Sequence, residues 1–179
     1  DISAEKLMKI VQDCQTDVHD FWSAYFYLHF YTVNTAKLSE NVWKEAEKML
    51  EQIQKYPQKE EYQKLVEADR INLYEREAEK GDDRKFLEET DRVLKENLKG
   101  DPAWKLYERK LVYLESKQPD ISREFERFLK KYPKVMDAYV EYSIYLCRNN
   151  KMTQAQRVYR EGRKQTGLTS KRAEELRRK

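Results

Sequence analysis

The amino-acid sequence predicts an all-α protein, and three observations carry that prediction. Its 179 residues include only four Gly and four Pro, too few for a β-sandwich or barrel that needs a turn signal about every 8–12 positions. Apolar residues recur at helical spacing along almost the whole chain. Three Trp, 13 Tyr and six Phe supply the large apolar groups of a core and exclude a disordered polar chain.

Helix-interrupting sequences divide the chain into about nine or ten predicted helices of about 11–22 residues. In chain order the interruptions fall at residues 34–39, 56–57, 80–83, 100–102, 117–120, 132–133, 148–151 and 167–170. The connections are short, which makes neighbouring helices antiparallel.

Two of the predicted helices begin with capping signals. Asp101 places a carboxylate before Pro102, whose ring suits the first helical position. Thr153 and Gln156 have the spacing of a capping box at the start of a helix over residues 153–164. That helix is amphipathic, because its apolar and basic residues recur on different sides.

The interruptions also repeat along the chain. Lys55-Tyr56-Pro57 recurs as Lys131-Tyr132-Pro133, 76 residues later, which equals two units of 38. A period of about 30–45 residues built from helix pairs indicates an α-solenoid, in which each pair covers the apolar face of the next. We expect the aromatic residues at recurring positions to be mostly buried between neighbouring helices: Trp104, Tyr107, Tyr139, Tyr142 and Tyr159.

The same segments resemble the half-a-TPR (HAT) repeat. Its first helix carries spaced aromatics and an acidic residue, and its second typically reads Ala-Arg-x-Ile-Tyr-Glu-Arg-Ala before a proline. One copy joins Trp104-x-x-Tyr107-Glu108 to Arg123-x-Phe125-Glu126-Arg127-Phe128-Leu129, and the next joins Tyr139-Val140-Glu141-Tyr142 to residues 155–162. Gln156 and Arg160-Glu161 depart from the pattern. The resemblance covers roughly residues 40–165, with a weaker copy over 43–57, and ordinary tetratricopeptide repeats are the alternative.

This resemblance implies three regions and a function. Residues 1–38 would form N-terminal helices packing on the array, residues 39–168 the HAT-like repeats, and residues 169–179 a basic C-terminal helix or tail. HAT proteins are similar to one another in acting in RNA-processing complexes such as those of pre-mRNA splicing. The resemblance therefore implies a nuclear, non-catalytic scaffold with protein partners and a possible homodimer contact. The alternative is a cytoplasmic TPR-like adaptor that binds a peptide or regulates an enzyme, unrelated to RNA.

The net charge of +3 conceals a gradient along the chain. Residues 1–80 carry 11 basic and 16 acidic side chains, whereas residues 81–179 carry 25 and 17. Nine cations gather at the C-terminal end: Arg157, Arg160, Arg163, Lys164, Lys171, Arg172, Arg177, Arg178 and Lys179. Such a patch binds RNA phosphates weakly and without sequence preference, docks an acidic protein, or is the solvated face of the last helix.

Residue types that carry chemistry do not form a recognisable catalytic or metal-binding pattern. Four scattered glycines build no phosphate-binding fingerprint, and His19 and His29 do not converge from one helix. Cys14 and Cys147 lack C-x-x-C spacing and are typical of reduced thiols in a nuclear or cytosolic protein. We therefore expect no enzyme, no cofactor and no metal.

An aromatic run occupies residues 21–31 and covers every side of its predicted helix. We predict core packing for most of it, and a helix-in-groove or dimer contact for any aromatics that stay exposed. The apolar stretch from Phe21 to Val33 falls short of the roughly 18 residues of a membrane span. We therefore predict no membrane partner.

Overall fold

A computed structural model describes residues 6, 9, 10, 13, 18–34, 41–57 and 59–168. Within these residues 79% are helical and none lies in a strand, which confirms the all-α prediction. Eight helices have defined bounds there, and the predicted count of nine or ten is not confirmed. They are α1 (Phe21–Asn34), α2 (Asn41–Ile53), α3 (Glu60–Glu79), α4 (Arg84–Lys95), α5 (Gly100–Glu115), α6 (Ser122–Lys131), α7 (Met136–Arg148) and α8 (Met152–Thr166). Among the described helices, none combines the length and apolarity that a membrane crossing requires.

Most of the predicted interruptions separate helices in the structure. Those at residues 56–57, 80–83, 117–120, 132–133 and 148–151 fall at the boundaries of successive helices. Gly167 follows α8 with a φ of 65°, and its N–H donates to the carbonyl of Arg163 at 3.1 Å. Glycine adopts this left-handed conformation without steric penalty, which explains why the helix ends there. Part of the interruption at 34–39 lies outside the described residues.

Both predicted capping signals were wrong about where the helix begins. Helix α5 begins at Gly100, so Asp101 and Pro102 lie in its first turn. The backbone N–H groups of a first turn have no acceptor within the helix, so a proline, which lacks this N–H, is tolerated there. Helix α8 begins at Met152, which places Thr153 inside the first turn. The residues at the two N-caps are Lys99 and Lys151, and neither makes a side-chain capping bond.

The chain divides into two compact units, Asp1–Phe86 and Leu87–Lys179. In the first unit, α1 packs against both α2 and α3. Asp20 caps α1, since its carboxylate accepts the backbone N–H of Ser23 at 2.7 Å. The core of this unit is apolar and aromatic and includes Phe21, Ala24, Tyr27, Leu28, Tyr31, Ala46, Met49, Leu50, Ile53, Val66 and Leu73.

The aromatic run of α1 is split between this core and the surface. Phe21, Tyr27 and Tyr31 are buried, whereas Trp22 and Phe26 are more than half exposed. The prediction of core packing therefore holds for one side of the helix. The hypothesis of a contact surface concerns the other side.

The second unit has an aromatic core centred on α6. Phe128 lies 5.1 Å from the ring of Trp104 and 5.2 Å from that of Tyr107, both on α5. On the other side of α6, the ring of Phe125 stacks on that of Tyr142 of α7, with 4.7 Å between their centroids. Trp104, Tyr107, Tyr139 and Tyr142 are buried as predicted, while Tyr159 of α8 is only partly buried.

Candidate interaction surface

Helix α8 presents the basic residues that the sequence singled out. Ala155 and Gly162 form its buried side. A Cβ on Gly162 would lie 2.6 Å from the Cβ and Cγ of Tyr139, so only glycine lets α8 approach α7 this closely. Since one side of α8 is pressed against α7, its other side faces solvent.

Four of the nine predicted cations lie in the part of the chain that the structure describes. Arg157, Arg160 and Lys164 are exposed and recur at helical spacing, so they share one face of α8. No ion pair among the described residues involves these three side chains. Arg163 is exposed in the last turn, where a cation complements the helix dipole. The other five cations lie outside the described residues: Lys171, Arg172, Arg177, Arg178 and Lys179.

These exposed cations form a surface that can bind an anionic partner at low desolvation cost. Thr153, Gln154 and Gln156 lie beside them and line the same open depression along α8. The hydroxyl and amide groups of these residues can hydrogen-bond a partner, while the cations supply long-range attraction. The arrangement suits charge-based association with a partner.

The second unit contains a buried ionic network that the sequence pattern did not predict. Lys110 of α5 is 4% exposed, and its Nζ donates to Asp91 Oδ1 of α4 and Glu124 Oε2 of α6, both at 2.6 Å. Tyr107 also donates its hydroxyl to Glu124 at 2.7 Å, and Arg127 donates to it at 3.0 Å. The sequence does contain one signal of this network, because Lys110 interrupts the apolar positions of α5. A lysine buried at such a position requires carboxylate partners.

This network shifts the pKa values of its members. Burial acts to raise the pKa of Glu124, but hydrogen bonds from Lys110 and Tyr107 together with the lysine charge outweigh it and lower the pKa to about 2. Burial, reinforced by the hydrogen bond to Glu124, raises the pKa of the Tyr107 hydroxyl far above its ordinary value. The network is therefore built around an ionised Glu124, and its role is to fix α4, α5 and α6 to one another.

We expect the stability of the second unit to fall in acid because of Glu124. Its pKa is lower in the folded chain than the ordinary 4.5, so its contribution is complete above about pH 4.5 and is lost as the pH falls through about 2. Urea unfolding between about pH 6 and pH 2.5, followed by circular dichroism, measures this loss. Glu124→Gln should flatten the profile, whereas Glu161→Gln, at an exposed site, should not. An unchanged profile in Glu124→Gln would contradict this assignment.

A second surface of this unit lies along α5 and α7 and is rich in carboxylates. Burial, followed by the charges of Glu141 and Asp137 on α7, raises the pKa of Glu108 on α5. At the other end of the two helices, Arg148 Nη2 lies 3.4 Å from Glu115 Oε1. The sequence pattern predicts Glu108 and Glu141 only as repeat positions and does not indicate that they share a face.

A polar cluster in the first unit surrounds Asp69 of α3. This carboxylate is buried, and Nδ1 of His29 lies 3.0 Å from its Oδ2. Burial raises the pKa of Tyr25 to about 12, with the charge of Asp69 as the second cause. His29 thus satisfies a buried carboxylate and is itself half-exposed. Within the described residues, no group of three or more His, Cys, Asp or Glu side chains is arranged to hold a metal ion.

Comparison with known proteins identified no relative of the chain. No protein-family model, no curated protein and no solved structure matches the chain.

Proposed function

We propose that this protein is a non-catalytic helical-repeat scaffold that holds protein partners within an RNA-processing complex of the nucleus, such as one of pre-mRNA splicing. The proposal combines the packing of the second unit with the HAT-like sequence pattern. The packing supports the scaffold, and the sequence resemblance supports the RNA-processing setting.

The observation that carries the scaffold proposal is the side-by-side arrangement of α5 and α7. At their N-terminal ends, a Cβ on Gly100 would lie 2.7 Å from Cγ2 of Val135, the N-cap of α7. At their C-terminal ends, Glu115 pairs with Arg148 at 3.4 Å. Both pairs of equivalent ends meet, so the two helices run in the same direction with α6 between them in sequence. Parallel first helices of successive pairs are the arrangement expected of a helical-repeat array.

Contacts between α4 and α6 support the same interpretation. The Tyr132 hydroxyl, directly after α6, donates to the carbonyl of Val93 at 2.8 Å, and Lys131 Nζ donates to that of Leu94 at 2.9 Å. The C-terminal ends of these helices therefore meet as well. A repeat array places every second helix next to its equivalent in this way, and leaves extended helix faces open to partners.

Reversing the charge of Arg157 and Arg160 tests the proposal. The tagged full chain should capture proteins of an RNA-processing complex from nuclear extract after RNase treatment. The double variant R157E/R160E should lose one of these proteins or a self-association, because an exposed basic face attracts acidic partners. R123E/K130E, which reverses two exposed cations of α6, is the matched control and should retain them.

RNA binding provides the contradicting outcome. We expect only weak binding that falls steeply between about 50 and 200 mM salt, since α8 offers cations for phosphates and few groups that read bases. Electrophoretic mobility shifts of wild type and R157E/R160E measure it. Loss of tight RNA binding in the variant, with protein assembly intact, would overturn the scaffold proposal, as would the absence of RNA-processing proteins from the wild-type capture.

A further inference from the structure

We propose that the face shared by α5 and α7 is a docking site for a positively charged amphipathic segment of a partner protein. We call this the α5–α7 face, and define it by Glu108, Val112 and Glu115 of α5 and by Asp137, Glu141 and Ile144 of α7. The inference rests on the proposed scaffold function and names the chemistry of one partner.

The geometry of the α5–α7 face follows from its two ends. Since the helices are parallel and meet at both ends, positions along one have counterparts along the other. Glu108 feels the charges of Glu141 and Asp137. Val112 lies one turn beyond Glu108, and Ile144 lies one turn beyond Glu141. The two aliphatic side chains therefore occupy corresponding heights, between the three carboxylates and the Glu115–Arg148 pair.

Both aliphatic residues are open to solvent. Val112 is 66% exposed and Ile144 is 43% exposed, although each helix buries other apolar residues in the core of the unit. Single exposed aliphatic residues are ordinary on protein surfaces, but these two lie on neighbouring parallel helices, each about one turn from a carboxylate. Burying both beneath the apolar side of a partner would give a favourable hydrophobic contribution.

The charges of the face select the sign of that partner. Burial raises the pKa of Glu108, and repulsion from the charges of Glu141 and Asp137 adds to this effect. Lys105 and Arg109 precede the aliphatic position on α5, and Arg148 at the far end is paired with Glu115. Glu108, Asp137 and Glu141 thus form a cluster of three carboxylates within a half of the chain that carries 25 basic and 17 acidic residues. Lys or Arg side chains of a partner would relieve the repulsion, which makes a basic segment the complementary occupant.

The size of the face sets the length of the segment. Helix α7 contains 13 residues, which corresponds to about 20 Å at 1.5 Å per residue. A helix of about 16 residues, with a stripe of leucines flanked by Lys or Arg, spans this length. Such a peptide presents its apolar side to Val112 and Ile144 and its cations to the carboxylates.

Fluorescence anisotropy with three labelled peptides tests the inference on the full chain. The probes are a Lys- and Leu-containing amphipathic peptide, the same peptide with every Lys replaced by Glu, and the basic peptide with every Leu replaced by Ser. We expect the first to bind about tenfold more tightly than either of the others, which is about 1.4 kcal/mol. Equal binding of all three would overturn the proposal.

Two double variants locate the binding. V112S/I144S should lower the affinity for the basic amphipathic peptide by about tenfold. E108Q/E141Q should lower this affinity by a similar factor, although it also removes the repulsion between the two carboxylates. E61Q/L65S on α3 is the matched control, because Leu65 is 40% exposed, and it should bind as wild type does. The inference fails if V112S/I144S binds normally, or if light scattering shows a dimer that this variant dissociates, since a second copy would then be the occupant.

Nuclear-extract capture separates this inference from the proposed function. Suppose that wild type and V112S/I144S capture the same RNA-processing proteins and bind the basic amphipathic peptide equally. The proposed docking site is then wrong, whereas the scaffold proposal is unaffected. If the wild type captures no such proteins, the scaffold proposal fails, and the peptide measurements still decide the chemistry of the α5–α7 face.

Discussion

Replacing Trp104 with Ala is expected to lower the free energy of unfolding of the second unit by about 3–5 kcal/mol. The indole is 4% exposed, and its ring lies 5.1 Å from that of Phe128 and 6.5 Å from that of Phe125. Removing it eliminates the buried area and leaves a cavity between α5 and α6 that backbone relaxation fills only in part.

Urea unfolding followed by circular dichroism measures this loss. The control is Val112→Ala on the same helix, which should cost less than about 1 kcal/mol because that side chain is mostly in solvent. A Trp104→Ala midpoint equal to that of Val112→Ala would show that Trp104 is a surface residue and that the predicted repeat register is wrong.

The Lys110→Met variant is expected to be destabilised by about 3 kcal/mol for a different reason. The substitution retains most of the side-chain volume but leaves Glu124 and Asp91 without the ammonium group that holds both at 2.6 Å. Arg127 and Tyr107 still donate to Glu124, but the half-exposed arginine compensates a carboxylate that is largely removed from water less well than the buried ammonium group does. The pKa of Glu124 should rise at the same time, so acid unfolding of the variant should begin at a higher pH.

A double-mutant cycle separates this effect from lost packing. Glu124→Gln combined with Lys110→Met should cost less than the sum of the single changes, by about 1 kcal/mol or more, because the neutral amide no longer needs a cation. Lys105→Met, at an exposed position of α5, is the control and should be nearly neutral. Additive single changes, or a Lys110→Met variant as stable as Lys105→Met, would show that the network contributes little.

The contrast between Tyr159 and Tyr142 shows what a repeat pattern can predict. Both residues occupy recurring aromatic positions, yet Tyr142 is buried against Phe125 and Tyr159 is only partly buried. Tyr142 lies on α7, which packs against both α6 and α8. Burial of a side chain depends on which helices pack around it, and sequence periodicity alone does not say which side of a helix those neighbours cover.

The sequence by itself determined the helices and most of their ends. Helix formation and termination are local, because they depend on side-chain periodicity and on residues such as Pro57 and Gly167 that stop the helical conformation. The sequence also predicted that Arg157, Arg160, Arg163 and Lys164 would be exposed, since such cations remain solvated unless paired.

The tertiary structure alone decided which distant polar groups meet. Lys110 lies 19 residues from Asp91 and 14 from Glu124 in sequence, and the acidic face joins Glu108 to Glu141 across two helices. Side-chain proximity of this kind depends on how each helix is rotated about its axis and how far it is shifted along its neighbours. In the second unit the rings of Phe125 and Phe128 pack against aromatic residues of both α5 and α7 and so constrain these helices. Interlocking of side chains across helices has no one-dimensional signature, because each contact depends on all the others at once.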